Sequence, residues 1–445
     1  MAADLIAIAN SGARAARAAL DITAQNISNA SSDGYVRRSV SLAELAVNSV
    51  SAAPTAINLA GVRVAGIVRN ADMFRQSEVR RTGADASRAD AEVQGLENVE
   101  AAVEQTGVYT SIVDFEAALK QLLSDPVDGS LRASALEQGR TLAQTINTAA
   151  SSIDAAGEGL RFEAQDGGDQ VNTLAAELAR VNLRLSRASD SSSDQSSLLD
   201  QRDSLLEKIS TYVDTSTTFA GDGTVALRLG GSSGPDLVSG GTAASLAMAT
   251  ASDGTLTFTL GGTAAAIASG SIAGKNQALA ELANVRGQLD TIAAGIITAV
   301  NGAQASGVDL NGNSGQPMFS GSDAASMAIA LASGSQIATA PAGAGANSRD
   351  ASNLEAMRSA LDSADPAGGM NSLLFGISSA VAGRSVTRDA LQSIAGSAKV
   401  ALEAQSGVDL DQEAVNLTRF QQAYQANGRV MQVASDIFDS ILSIR

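Results

Sequence analysis

The chain has 445 residues, enough for two or three domains with sizeable cores. It contains no Cys and no His, which excludes disulfides, thiolate metal sites and thiol redox chemistry and removes the commonest general base and metal ligand. A net charge of -17 weighs against nucleic acid as partner, and aromatics at 3% weigh against aromatic-lined ligand pockets; only carboxylate sites for Ca²⁺ or Mg²⁺ stay open in principle.

The charge is uneven. Residues 1–90 carry ten Arg against eight Asp and Glu, near +2, and the rest of the chain is near -19. The plain reading of this balance is solubility by self-repulsion; the alternative is that the near-neutral N-terminal part is the piece that associates. No run approaches the roughly 20 apolar residues of a membrane span, so no membrane insertion is expected. The start, Met1-Ala2-Ala3-Asp4-Leu5, lacks the basic region of a cleavable signal peptide. The expectation is a cytoplasmic protein, or one exported by a route that reads no such signal.

Residues 3–28 read as a helix. Leu5, Ile8, Gly12, Ala15, Ala19, Ile22 and Asn26 recur at three- and four-residue steps, a heptad seam with small residues in its middle. Asn29 to Gly34 carry turn chemistry, and Gly34 is free to take a positive φ. Tyr35 to Leu42 reads as extended. Ile57 to Val68 is β-branched and partly alternating, a strand or paired hairpin.

Helical spacing returns from Asp72 to about Gln105. Pro is absent from Val127 through Gly234, and the pattern predicts helices at about 131–165, 170–188 and 195–212. Leu174, Leu178, Val181 and Leu185 line the second; Leu198, Leu199, Leu205, Leu206 and Ile209 line the third. Gly, Thr and Ser rise at 214–271, where 225–229 and 256–260 read as strands and Asp222-Gly223 and Asp253-Gly254 as hairpin turns. A helix is predicted at about 273–304, then a loop-rich stretch with one strand at 327–331. Helices follow at about 350–363, 368–382 and 384–405.

Ser406-Gly407 breaks that run. Asp409 can cap a final helix, with Gln412 in the capping-box position. Leu410, Ala414, Leu417, Phe420, Tyr424, Asn427, Met431, Ala434, Phe438 and Ile441 keep the three-four step for about nine turns, which gives large side chains to set against the small ones of the first helix. An isolated pair of this size is marginal. Burying a large side chain contributes roughly 1.5–3 kcal/mol, while ordering each residue costs roughly 1–2 kcal/mol. The ends therefore need neighbours.

Motifs with chemistry are incomplete. Gly230-Gly231-Ser232-Ser233-Gly234 matches a nucleophile elbow, but no His is available as base, and none of Lys120, Lys208, Lys275 and Lys399 has a Ser three residues earlier. Gly270 to Lys275 is one residue short of a phosphate loop. Asp309-Leu310-Asn311-Gly312-Asn313 begins like a Ca²⁺ loop, yet Ser314 stands at the Gly position and Ser320 at the bidentate Glu. Glu97 and Glu100 read as surface charges. No catalytic, cofactor or metal residue is assigned.

Two terminal signatures suggest a family. Ser11-Gly12 through Leu20, Gln25 to Ala30 and Gly34-Tyr35-Val36-Arg37 resemble the N-terminal signature of flagellar rod, hook and hook-associated proteins. Ser406 to Glu413 and Phe420 to Ala426 resemble the matching C-terminal signature. In the middle, Leu198 to Asp203, Leu237-Val238 with Gly240, and Val300-Asn301 followed by Gly307, Asp309-Leu310, Gly312, Gly315 and Phe319 resemble the hook-associated branch, as do Asn416 to Phe420 and Phe438-Asp439. Gln304 departs from that pattern, where members often carry His, and the β insertion is short.

The resemblance implies a structural subunit of the bacterial flagellum at the junction of hook and filament, not an enzyme. Implied partners are further copies in a ring, the hook protein, hook-associated protein 3, and a cytoplasmic export chaperone holding the C-terminal segment. Export would run through the flagellar type III apparatus. The alternatives are another axial protein, of hook or rod, or a surface glycan-binding or hydrolytic protein using the β insertion. The expected fold is mainly α with an inserted β domain: a coiled-coil-like terminal assembly domain (1–45 plus 406–445), a long-helix bundle as middle domain (46–213 plus 272–405), and a small outer β domain (214–271).

Overall fold

A computed structural model describes residues 2–32, 34–46 and 59–443. The expected turn and strand positions at Asp33, Ile57 and Asn58 lie outside the described residues, and so do the side chains of Ala3 and Ile441. Helix α1 (Ala2–Ser28) leads through a turn at Gly34, which takes φ 74, into an antiparallel pair β1 (Arg38–Ala46) and β2 (Leu59–Arg69). The body follows: α2 (Met73–Glu104), α3 (Val108–Leu122), α4 (Gly129–Leu185), α5 (Ser193–Tyr212), α6 (Ser271–Ala305), α7 (Ser352–Ala364) and α8 (Pro366–Ser406). Helix α9 (Leu410–Ser443) returns to pack on α1. The chain is mainly helical with long helices at both ends and in the middle, as the sequence predicts.

Caps explain where the helices start. Asp72 accepts from the amides of Phe74 and Arg75, Asp128 from Ser130 and Leu131, and Ser192 from Gln195. Asp409 accepts from Asp411 and Gln412 at 2.9 and 3.1 Å, so it caps α9 as its sequence position suggests.

Two predicted breaks are absent. Helices expected at 131–165 and 170–188 are one 57-residue helix, α4. Gly167 and Gly168 do not interrupt it, because their bare faces receive neighbours: a Cβ at Gly167 would stand 3.3 Å from Ile272 and Tyr212, and one at Gly168 only 2.2 Å from the Met248 methyl. Tertiary contact outweighs the roughly 1 kcal/mol propensity cost of each glycine. Likewise α8 runs unbroken through Gly383. Helix α3 is an addition to the predicted elements. Its Val108, Ile112, Phe115, Leu119 and Leu122 are all buried at helical spacing.

The insertion at 214–271 is two antiparallel sheets: β3 (Thr215–Phe219), β4 (Val225–Leu229), β5 (Asp236–Ser239) and β6 (Thr242–Ala243), then β7 (Leu246–Thr250), β8 (Leu256–Leu260) and β9 (Thr263–Ala265). The two Asp-Gly turns form as predicted, with Asp222 and Asp253 each accepting from the amide two residues on. Both sheets are clamped to α4. Asn182 bonds both the amide and the carbonyl of Val225, and Asn172 does the same for Leu246. Their apolar faces join the core of the helices in one cluster.

That cluster runs from Val99 to Ile377. Among the described residues it takes no member from α1, β1, β2 or α9. The loop-rich stretch 306–350, whose predicted strand shrinks to Ala328–Ile329, is pinned by buried Arg132. Its guanidinium donates to the carbonyls of Gly334 (3.2 Å) and Ile337 (2.8 Å) and to the Thr339 hydroxyl (2.6 Å). Gln304, also fully buried, accepts from the Ala338 amide at 2.6 Å.

Candidate assembly interface

The terminal helices pair antiparallel, Gly12 facing Asn427 and Asn26 facing Glu413. In α1, Ala15, Ala19, Ile22 and Asn26 are buried and Gly12 half-buried. Ser11 ties the pair to the β1–β2 hairpin, accepting from the Val62 amide at 3.1 Å, and Gly61 lies so close that a Cβ there would stand 2.2 Å from the Ser11 hydroxyl. Helix α1 is thus covered by α9 and by the hairpin.

The seam on α9 differs from the expected line of large residues. Its buried and half-buried positions are Glu413, Asn416, Leu417, Phe420, Ala423, Asn427, Met431 and Ala434. Of the expected residues, Leu417, Phe420, Asn427, Met431 and Ala434 reach the seam, and Ala414 is exposed. Leu410, Tyr424 and Phe438 stay exposed, as do Leu5 and Ile8 on α1. The physical reason is fit. A partner surface of Ala and Gly lets helices approach closely, so Glu413, Asn416, Ala423, Asn427 and Ala434 fit in the contact beside Leu417, Phe420 and Met431. The terminal pair therefore keeps exposed apolar side chains after its own pairing.

A polar junction ties this pair to the body. Asn26 is its pivot: its amide donates to the Arg38 carbonyl (2.8 Å) and the Glu413 carboxylate (3.3 Å), and its carbonyl accepts from the Tyr35 hydroxyl (2.9 Å) and the Arg38 amide (3.0 Å). Arg37 pairs with buried Glu413 at 2.7 Å. Arg38 then reaches Asp200 on α5 at 2.6 Å, and Arg69, at the end of β2, bridges Asp200 (2.7 Å) and Asp203 (2.9 Å). Asp203 also accepts from Arg202 (2.6 Å) and Gln76 (3.0 Å). Burial pushes the Asp203 carboxyl up, but Arg202 and Arg69 outweigh it and hold the group below the usual carboxylate range. Burial lowers the Arg80 guanidinium, which Asp203 partly restores.

The sequence motifs Gln25 to Ala30, Gly34 to Arg37, Leu198 to Asp203 and Ser406 to Glu413 thus converge on one junction. Arg69, Gln76 and Arg80 complete it without having been singled out in the sequence. The available signal was the spacing of Asp200 and Asp203, three residues apart and so on one face of α5.

The incomplete chemical motifs have structural partners. Ser232 gives its carbonyl to Arg228 in a strand turn. Gly274 packs so tightly that a Cβ would meet the Arg88 carbonyl at 2.1 Å, and Lys275 pairs with Glu163 at 3.1 Å. The Asp309 carboxylate accepts from the amides of Asn311 and Asn313, closing its own turn. Glu100 accepts from the Ser378 hydroxyl. Among the described residues no group of three His, Cys, Asp or Glu could hold a metal ion, and no helix is long and apolar enough to cross a membrane.

Residues 93–319 match the family model for the helical domain of flagellar hook-associated protein FlgK, and 402–444 match the C-terminal model of flagellar basal body rod FlgEFG proteins. Flagellar hook-associated protein 1 of Escherichia coli K12 is 27% identical over 71% of this chain and 59% of its own length. That of Salmonella typhimurium is 28% identical over 71% and 59%, and that of Bacillus subtilis 28% over 48% and 43%. The chain thus spans less than two thirds of the length of these relatives. In fold it is similar to the flagellar hook junction protein FlgK from Burkholderia pseudomallei, with TM-score 0.50 and 23% identity over 54% of this chain and 46% of that one. With a family model covering half of its residues and a rod-type match on its last helix, the chain belongs to the family of flagellar hook-associated protein FlgK.

Proposed function

We propose that this chain is a structural, non-catalytic subunit of the bacterial flagellum that forms the junction between hook and filament. The observation that carries the reading is the apolar surface left over on the terminal pair. Leu5, Leu410, Tyr424, Val430, Val433 and Phe438 are each more than 40% exposed after α1 and α9 have paired. Such a surface on two helices outside the main core calls for neighbours. The relatives' name, flagellar hook-associated protein 1, supports placing those neighbours at the hook.

In this reading residues 1–45 and 406–445 form the assembly domain, with Leu5, Ile8, Gly12, Ala15, Ala19, Ile22 and Asn26 meeting Leu410, Leu417, Phe420, Tyr424, Met431, Phe438 and Ile441 of the same or adjacent copies. Residues 46–213 with 272–405 form the helical middle, and 214–271 the outer β part. Copies associate in a ring, between the hook protein on one side and hook-associated protein 3 on the other. The chain leaves the cell through the type III export apparatus without a cleaved signal, its C-terminal segment held beforehand by a cytoplasmic chaperone. Immunogold labelling of assembled flagella tests this. A single band at the distal end of the hook is expected, and staining along the hook or rod rejects the assignment.

A further inference from the structure

A cleft of about 750 Å³ opens between the Asn29–Arg38 segment and the facing sides of α4 and α5. Its walls carry Arg180, Arg184 and Lys208. Two carboxylates also line it, but both are engaged: Asp200 by Arg38 and Arg69, and Glu177 by Arg180 at 3.9 Å. Among the described residues Arg184 and Lys208 have no ion-pair partner, and both are exposed. In a chain of net charge -17 this is a concentration of positive charge with no internal use. The macrodipole of α4 favours a cation in its last turn, which accounts for Arg184 but not for Lys208 on α5.

Gly34, Tyr35 and Ser204 line this cleft on one side and, on the other, a smaller cavity whose far wall is Lys399, Glu403, Ser406 and Gly407. They form a partition. The α8–α9 turn therefore lies across this partition from the cleft. That turn is also fixed to the partition: the Arg37 amide donates to the Ser406 carbonyl at 2.9 Å and the Asn70 side chain to the Gln405 carbonyl at 2.7 Å. The turn and its flanks carry Glu403, Asp409 and Asp411, all exposed, with Lys399 one turn before Glu403. Asp409 is spent on its cap; Glu403 and Asp411 have no ion-pair partner among the described residues.

We infer that the cleft is a docking site for a second copy of this chain, which inserts the acidic turn Glu403–Asp411 between Arg184 and Lys208. This rests on the assembly reading above and names the contact it uses. A basic cleft and a separate acidic turn on the same chain make a heterologous interface, the kind that closes into a ring when the rotation between copies is right. Both halves lie beside the Arg37–Glu413 and Arg38–Asp200 links, so the docking of one copy braces the junction of the next.

The chain has no Cys, so an introduced pair reports a contact without background. Lys208→Cys combined with Asp411→Cys is expressed in cells lacking their own copy of the gene, and the assembled flagella are oxidised. A covalent ladder of dimers, trimers and higher species is expected from the double variant, and monomer alone from each single variant. Dimer from a single variant, or monomer alone from a double variant that labels the junction normally, overturns the inference. Charge reversal is the second arm. R184E with K208E is expected to lower incorporation at least tenfold, and adding E403K with D411K to restore it. Normal incorporation by the first variant, or no recovery in the combined one, overturns the inference while the junction assignment stands. If the wild-type chain is absent from the junction, both fall.

Discussion

Replacing Asp203 with Asn should loosen the terminal module from the body while leaving the body itself folded. The Asp203 side chain is 9% exposed and accepts from Arg69 and Arg202, each 6% exposed, and from Gln76. Asparagine keeps the shape, removes the charge and points an amide at a guanidinium. Buried Arg202 then lacks its counter-charge and Arg69 keeps only Asp200, and breaking a buried pair in this way costs about 3–5 kcal/mol. The cost should be local, because the hairpin and the terminal helices hold the body through polar links and share no side chain with its apolar cluster among the described residues. Hydrogen exchange of the β2 amides is the assay. At 1.36 kcal/mol per tenfold, amides 62–69 should exchange about two to three and a half orders of magnitude faster, while Ile112 and Phe115 in α3 stay protected. Glu78→Gln, which removes an exposed pair with Arg75 (46% and 43%), is the control and should change stability by less than about 1 kcal/mol. Equal exchange at 62–69 in Asp203→Asn and wild type would refute the reasoning.

The same residue predicts a pH response. Its folded pKa is depressed, so its contribution is present above the unfolded value of about 3.9 and is lost as pH falls through the folded one. Protection of the β2 amides should therefore decline below about pH 4 in the wild type, and Asp203→Asn should lack that component. Gly12→Val would put a Cβ 2.5 Å from the side-chain Oδ1 of Asn427, so it should destabilise the helix pair by about 1–3 kcal/mol, and Asn427→Ala should relieve most of that in thermal denaturation. Arg132→Met strands the Gly334 and Ile337 carbonyls and the Thr339 hydroxyl, at about 1–3 kcal/mol for each group left buried without a donor. Limited proteolysis should then cut first within 306–350, and a cleavage pattern like wild type would count against the pinning role.

The elements most legible in the sequence were those whose signal is local. The Asp-Gly turns of the β insertion, the Asp409 cap and the positive φ at Gly34 each depend on one or two residues with specific backbone chemistry, and each forms as read. The breaks predicted at Gly167-Gly168 and Gly383 failed because helix propensity is a weak prior. In α4 the glycines are where Met248 and Tyr212 come close, which no local window reveals. Helix α3 carried a readable period, Val108 to Leu122, but sits between two longer helices with turn residues on both sides. For the candidate interface, the α1 seam was legible because its small residues can bury only against another helix. The α9 seam was legible in part: Leu417, Phe420, Asn427, Met431 and Ala434 line it, whereas Leu410, Tyr424 and Phe438 stand out in solvent, because helical period and size alone do not say where a close-approaching Ala-rich partner ends. The junction was visible as motifs but not as a network, because Arg38, Arg69, Asp200 and Asp203 meet across more than 130 residues of chain.

The central claim is that the outward apolar residues of the terminal helices bind neighbouring subunits. Tyr424 and Phe438 are 46% and 49% exposed, so the double variant Tyr424→Ala with Phe438→Ala removes surface that the monomer does not use. Its secretion and its incorporation into flagella should be measured side by side, with thermal denaturation of the purified chain as the folding check. The account predicts an unchanged melting midpoint, normal secretion and a marked loss of protein at the hook tip. Junctions assembled at the wild-type level by a folded, secreted double variant would contradict it.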